Sequence, residues 1–343
     1  MSDRLRTVLV SAAATAVGLG LLAAVLLTTD LAEVGKYLST VGIGVVLMVA
    51  AYKLAFILDS IAWLMTMRSL PLRLVWMVRF WAVRLVGEAG NNAPPLAGMG
   101  GEPVKAAILN RAYGIGYGDS FASIVLARTT FLIGLIPFLL IGFGLLLLQP
   151  GLGDGFRWAA GGGLVGLSAG IGALFVIQRL RLTSRSGGWA ARVFARPGLQ
   201  KAFEKVGEFE DRLVDFYTAA PGRFAATAIL SFVNWVLGAV EVWIAFYLLG
   251  APVTFAEAWI IEAVVQLVRV AAFFVPLAIG TQDGAFTVVV GALTGNPALG
   301  VAAAVLRRFR ELVVLSAGLL MGPLIFGRGA MSPKSPKTGD GGQ

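Results

Sequence analysis

The stretch Pro95-Leu96-Ala97-Gly98-Met99-Gly100-Gly101-Glu102 recurs 181 residues later as Pro276-Leu277-Ala278-Ile279-Gly280-Thr281-Gln282-Asp283, with proline and carboxylate at the same separation. The same shift lays the apolar run Gly42 to Met67 on Arg223 to Leu248, and Asp119 to Leu148 on Gly300 to Gly329. Self-similarity at one fixed offset marks a repeated architecture. In a membrane protein, a repeat whose halves carry a broken hydrophobic segment at corresponding points directs attention to a site between them.

The chain of 343 residues is 57% hydrophobic and 14% charged, against roughly 25% charged in soluble proteins, and its mean hydropathy is +0.82. Several apolar runs exceed the roughly 20 residues that span a bilayer as helix, whereas barrel strands read as roughly ten-residue alternating segments. The fold class is therefore an all-α polytopic membrane protein. Cysteine and histidine are both absent, which removes disulfides, thiolate nucleophiles, Cys/His metal sites and every Ser-His or Cys-His arrangement. No catalytic residue, metal or cofactor is expected, and any chemistry rests on Asp, Glu, Lys, Arg, Ser or Tyr. The net charge of +9 lies in loops flanking apolar runs, so it points to a membrane surface and not to nucleic acid.

Complete crossings are expected at Thr7 to Thr29, Gly42 to Met67, Asp119 to Leu148, Gly155 to Gln178, Gly222 to Leu249 and Leu299 to Phe326. The first of these is too long for a signal-peptide core and reads as uncleaved. Arg4, Arg6, Arg68, Arg73, Arg79, Arg84, the basic block from Arg179 through Arg223, Arg328, Lys334 and Lys337 fall on one side if both termini are cytoplasmic. The opposite loops, Asp30 to Thr40, Gln149 to Asp154 and Gly250 to Glu257, are nearly free of basic residues, so the positive-inside bias places both ends in the cytoplasm.

Two apolar segments do not read as simple spans. Arg73 to Arg111 is interrupted by Glu88-Ala89-Gly90-Asn91-Asn92-Ala93-Pro94-Pro95 and begins and ends among basic residues; Glu257 to Asn296 breaks at Pro276 through Gly284 and begins and ends among outer residues. Non-helical backbone at membrane depth requires protein or a water-filled cavity to satisfy it. Both segments read as re-entrant helical hairpins from opposite faces, and the parity of the spans makes the repeat inverted. The expected divisions are 1–41 (first span and outer loop), 42–148 (first repeat, hairpin 73–111), 149–221 (fourth span and a cytoplasmic helix), 222–326 (second repeat, hairpin 257–296) and 327–343 (a disordered tail). Within Leu182 to Ala219, Val206, Phe209, Leu213 and Phe216 recur at helical spacing between charges, an amphipathic surface helix. Gly162, Gly166 and Gly170 recur every four residues in the fourth span, a close-packing face for a neighbouring helix or a homodimer.

Charge inside the membrane is the sharpest remaining signal. Arg307, Arg308, Arg310 and Glu311 lie roughly 12 to 18 Å into the bilayer from Leu299, and Arg128 lies at similar depth from the other face. Each central charge costs about 2.5 to 3.5 kcal/mol on insertion scales, so these residues face protein, water or a bound anion. Pairing inside the fold is one reading, with Arg307 to Glu311 at i,i+4 and Glu102 and Asp283 serving Arg128 and Arg308. Binding of an anionic headgroup is the other, because the planar guanidinium matches phosphate and helix starts near Val104 and Ala285 would add N–H donors. The candidate substrate-binding set is Glu88, Asn91, Asn92, Glu102, Lys105, Arg128, Arg269, Gln282, Asp283, Arg307, Arg308 and Glu311. Asp59, Glu241 and Glu262 are candidates for proton coupling; Lys53 with Asp59, Asn234 with Glu241, and Glu262, Gln266 and Arg269 on one face read equally well as interhelical hydrogen bonds.

At Gly98-Met99-Gly100-Gly101-Glu102-Pro103-Val104, followed by Arg128, and at Pro276 to Phe286, followed by Leu306-Arg307-Arg308-Phe309-Arg310-Glu311-Leu312, the chain resembles the lysylphosphatidylglycerol synthase transmembrane-region family, also described as flippase-like. The run Phe273-Phe274-Val275-Pro276 to Gly284 with the later Arg-Phe-Arg-Glu looks most like its hopanoid-biosynthesis-associated branch. Ala127 stands before Arg128 where the family pattern has an acidic residue, and Asp283 where the second motif has Glu. The larger synthases carry an aminoacyl-transfer domain after this region, and here only residues 327–343 follow, so the resemblance implies lipid translocation without synthase activity. The expected substrate is an anionic or amphiphilic lipid of hopanoid, polyprenyl or phospholipid type. The competing readings are a membrane-embedded enzyme acting on a lipid headgroup through Glu88, Glu102 and Asp283, and a non-catalytic partner of lipid-biosynthesis enzymes. No P-loop for ATP is present.

Overall fold

A computed structural model of the chain describes residues 27, 29–91, 101–149, 152–180, 211, 214–271 and 280–330, and every regular element among them is helical. The first, α1 (Leu31–Val41), starts on Asp30, whose Oδ1 accepts the N–H groups of Ala32 (2.9 Å) and Glu33 (3.2 Å). A 3-10 turn (Gly42–Gly44) leads into α2 (Val45–Thr66). The expected outer loop Asp30 to Thr40 is thus helical and continues the apolar run from Leu31 to Thr66. Its acidic cap supplies the start, and Gly42, at φ +48°, takes the change of direction that a side chain would resist.

The chain continues as α3 (Leu74–Asn91), α4 (Gly101–Tyr113), α5 (Tyr117–Leu148), α6 (Asp154–Arg179), α7 (Pro221–Leu248), α8 (Phe255–Ala271), α9 (Thr281–Thr294) and α10 (Pro297–Ala330). Leu31–Thr66, Tyr117–Leu148, Asp154–Ile177 and Pro221–Leu248 are long and apolar enough to cross a membrane. The protein is therefore embedded in a membrane with several passes. The expected span Leu299 to Phe326 lies within α10, the longest helix at 34 residues, but its four clustered charges keep it out of that apolar set. The expected span Thr7 to Thr29 lies almost wholly outside the described residues.

Helix bounds recur at the offset seen in the sequence. Shifted by 181 residues, α3, α4 and α5 fall on 255–272, 282–294 and 298–329, against Phe255–Ala271, Thr281–Thr294 and Pro297–Ala330 for α8, α9 and α10. The stops correspond as well: α4 ends at Gly114 (φ +70°) and α9 at Gly295 (φ +73°), the same position under the shift. Each uses the left-handed conformation open to glycine to return its N–H to the helix, to Asn110 and Gly291 carbonyls at 3.0 Å. The arms α3 and α4 pack together, as do α8 and α9. With 13 and 14 residues, α4 and α9 fall short of the roughly 17 to 25 that span a bilayer. The connections 92–100 and 272–279, which hold both Pro-Leu-Ala copies, lie outside the described residues.

Packing gathers the helices into two groups. In one, α2, α5, α6, α7 and α8 lie against each other; in the other, α1, α3, α4 and α9 surround α10. The first is closed by apolar and indole contacts: Trp235 on α7 and Trp259 on α8 donate to the carbonyls of Phe131 and Phe138 on α5, both at 3.0 Å. A Cβ on Gly134 would lie 2.7 Å from the Phe232 amide nitrogen, which shows how closely α5 approaches α7. In the second group Gly318 brings α10 onto the Leu85 carbonyl of α3. Between the groups the main contacts join helices consecutive in the chain, and otherwise α10 faces α7 and α2.

Of the amphipathic helix expected over Leu182 to Ala219, residues 214–219 are described as helical, with Phe216 and Tyr217 buried against Leu126, Phe175 and Phe224. The face of Gly162, Gly166 and Gly170 has no atom within 4 Å of where a Cβ would stand, so no described helix of this chain packs there. Helix α10 runs past the expected start of the tail at Gly327, and 331–343 lie outside the described residues.

Candidate functional site

Polar side chains collect where α10 faces its neighbours. Positions 307 and 310 share a face of α10 by i,i+3 spacing. Arg307 is held by Glu262 of α8 through both oxygens, Nη1 to Oε2 at 2.7 Å and Nη2 to Oε1 at 2.9 Å. Glu262 Oε1 also accepts from Gln266 Nε2 at 2.7 Å. Arg310 donates from Nη1 to both oxygens of Glu241 on α7, at 2.9 and 2.7 Å, and its guanidinium lies 3.8 Å from the ring centre of Tyr52 on α2. Arg308 donates to Asp283 of α9 from Nε (3.1 Å) and Nη2 (2.9 Å), and to Glu311 Oε2 at 2.9 Å. Glu311 Oε1 accepts from Arg310 Nη2 at 3.4 Å.

The pairing of Arg307 with Glu311 expected from i,i+4 spacing is therefore replaced by Glu262, which reaches Arg307 across a helix contact. Asp283 does serve Arg308, in line with pairing inside the fold. Glu102 does not serve Arg128: its Oε1 accepts from Lys105 Nζ at 3.4 Å. Arg128 is exposed and stands 5.9 Å from the Phe131 ring. Asp59 is paired with Arg84 of α3, not with Lys53, which is exposed. Glu241 is paired with Arg310, not with Asn234. Arg269 is exposed and within the electrostatic reach of Glu311.

The starts of α4 and α9 each have a backbone donor taken by a side chain of the protein. Asn91 Oδ1 accepts the Gly101 N–H at 2.8 Å, and Asp283 Oδ2 accepts the Gly280 N–H at 2.9 Å. These contacts fix the starts of α4 and α9 and take one donor from each. Glu88 is half-buried and Gln282 buried; Asn92 lies outside the described residues.

Two residues that matter were not in the candidate set. Arg84, read as a loop cation, lies inside α3, with its guanidinium 4.6 Å from the Phe56 ring. Its position within an apolar run, four residues before Glu88, was the available signal. Arg310 is 3% exposed, and its i,i+3 relation to Arg307 marked it as sharing that face. Tyr52 lies between the two ends of the layer: the Arg310 guanidinium stands over its ring, and the Phe56 ring that Arg84 faces is 6.1 Å away. The polar layer thus runs from Lys105 and Glu102 through Arg84 and Asp59, past Tyr52, to the arginines of α10. Among the described residues no cluster of potential ligands fits a metal ion.

The chain matches the family described as lysylphosphatidylglycerol synthase TM region over residues 11–318. No curated protein and no solved structure matches it.

Proposed function

Since the chain belongs to the lysylphosphatidylglycerol synthase transmembrane-region family, we propose that it moves a lipid between the two leaflets of its membrane. The observation that carries this reading is the polar layer inside an otherwise apolar bundle, set between helix sets whose bounds recur at one offset. Each charge at such depth costs about 2.5 to 3.5 kcal/mol on insertion scales, and intramembrane charges that persist against that cost mark polar pathways. Two short-armed hairpins in corresponding positions supply the inverted repeat of alternating access. The lipid is anionic or amphiphilic, of phospholipid, polyprenyl or hopanoid type, and the membrane is the bacterial inner membrane with both termini cytoplasmic. The candidate substrate-binding residues line the pathway in this reading, and the Gly162, Gly166 and Gly170 face is free for a second copy.

One observation favours a lipid-modifying enzyme as the second reading: Glu102 holds Lys105 through Oε1 and keeps Oε2 buried without a partner among the described residues, an acceptor open to a substrate donor. Reconstitution in vesicles with labelled total lipid separates the two. Redistribution between leaflets with unchanged headgroups is the expected result; headgroups altered in a Glu102-dependent way would overturn translocation in favour of catalysis.

A further inference from the structure

The ion pairs that join the two helix groups all have one polarity. Arg84, Arg307 and Arg310 belong to the group around α10, and their partners Asp59, Glu262 and Glu241 belong to the other group. Among the described helices no ion pair crosses the boundary in the opposite sense. Pairs within one group, Arg308 to Asp283 and Glu311, Arg310 to Glu311, and Lys105 to Glu102, all lie on the α10 side. Across the boundary, guanidinium groups of the α10 side therefore meet carboxylates of the other, and on the α10 side Glu311 is the acid that also touches Arg310. The same three arginines each keep a buried Nε–H with no partner among the described residues, an unmet donor that a protein interior disfavours. A cavity opens on the boundary between Met48 and Glu241 on one side and Phe286, Ala303 and Arg307 on the other. In this closed arrangement it has room for about one water.

We propose that this boundary is a phosphate site, in which Arg307 and Arg310, with Arg84 at the far end, bind phosphate oxygens in place of Glu262, Glu241 and Asp59. The proposal rests on the translocation reading and names its site and ligand chemistry. A phosphate offers guanidinium the same paired acceptors as a carboxylate, and its additional oxygens reach the Nε donors that the carboxylates leave unmet. The carboxylates act as internal competitors: they neutralise the arginines while the groups are together, and phosphate binding parts the groups by displacing them. The backbone approach of α10 to α2 and α7 is sparse, so side chains hold this part of the boundary, while α2 with α3, α4 with α5 and α8 with α9 join the groups elsewhere.

Calorimetry on the full chain in detergent tests the proposal, with dihexanoyl phosphatidylglycerol, dihexanoylglycerol and inorganic phosphate as probes. Glu241→Gln and Glu262→Gln are expected to bind the phosphate-bearing lipid about tenfold more tightly than the native chain, because the competitor is weakened. The double variant Arg310→Gln with Glu241→Gln removes a pair as a unit, leaves no uncompensated buried charge, and is expected to bind about tenfold more weakly than Glu241→Gln alone. Dihexanoylglycerol is expected not to bind. Inorganic phosphate matching the lipid in affinity and variant response identifies a soluble oxyanion as the ligand; response to the lipid alone identifies the headgroup, and either upholds the site. Absence of phosphate binding in native and Glu variants that retain a cooperative melt overturns it, as does affinity indifferent to the arginine variant. Phosphate binding without leaflet redistribution sinks translocation and keeps the site; redistribution indifferent to these variants does the reverse.

Discussion

Glu262 and Arg307 show what is at stake in one side chain, because both are almost fully withdrawn from the surface and each satisfies the other. Glu262→Leu leaves a buried guanidinium uncompensated and is expected to cost about 3 to 5 kcal/mol, read as a lower melting temperature in detergent. Glu262→Gln keeps an acceptor oxygen and should cost less. Glu262→Leu combined with Arg307→Met should recover most of the loss, since a matched apolar pair replaces the ion pair. Gly101 makes a second case: a side chain there runs into the Gly87 carbonyl and Asn91, so Gly101→Val is expected to cost about 1 to 3 kcal/mol. Gly162→Val, on the open face, should leave the monomer's melt unchanged and would alter oligomeric state only if a second copy packs there. Burial of the α10 arginines was legible from their depth. Their partners were not, because sequence spacing reports which residues share a helix face and says nothing of the carboxylate that another helix brings to it.

Helix packing turns on a few close approaches, and α10 supplies the test. Gly318→Ala drives a methyl into the Leu85 carbonyl and to 2.9 Å from the Ala89 Cβ, and is expected to cost about 1 to 3 kcal/mol as α10 is pushed off α3. Gly322→Ala, whose methyl would meet Val86 Cγ1 at an ordinary 3.7 Å, should stay within about 0.5 kcal/mol. Comparing the two melting temperatures checks whether the α3 to α10 contact holds the second group together. Helices α3, α4, α8 and α9 could be read from the sequence, because the Pro-Leu-Ala breaks divide the two apolar segments that hold them. Helix α1 could not: its apolar residues alternate with Glu33, Lys36 and polar positions, and its helicity depends on the Asp30 cap and on packing against α10. Arg84 was misplaced for a related reason. A cation near a basic hairpin base reads as solvated until Asp59 is brought to it by the fold.

At the scale of the whole molecule, the repeat makes a topological prediction. The chain lacks cysteine, so single cysteines at Leu72 and Pro252, at the bases of the two hairpins, can be labelled with membrane-impermeant reagents. Labelling from opposite faces is expected of an inverted repeat, and labelling from one face would exclude it. The offset was visible in the sequence because corresponding elements kept both length and punctuation, whereas the segregation of arginines and carboxylates onto opposing groups emerges only once the helices are packed. One feature of that packing bears on how the protein is made. The first arm of each hairpin leans on the last helix of the other half, α3 on α10 and α8 on α5. During synthesis α3 therefore leaves the ribosome long before α10 exists, with Asp59 of the preceding α2 already made to pair with Arg84. The packing of α3 against α10 is therefore a late step of assembly that follows delivery of the final helix, whereas the Arg84 to Asp59 pair forms between helices consecutive in the chain.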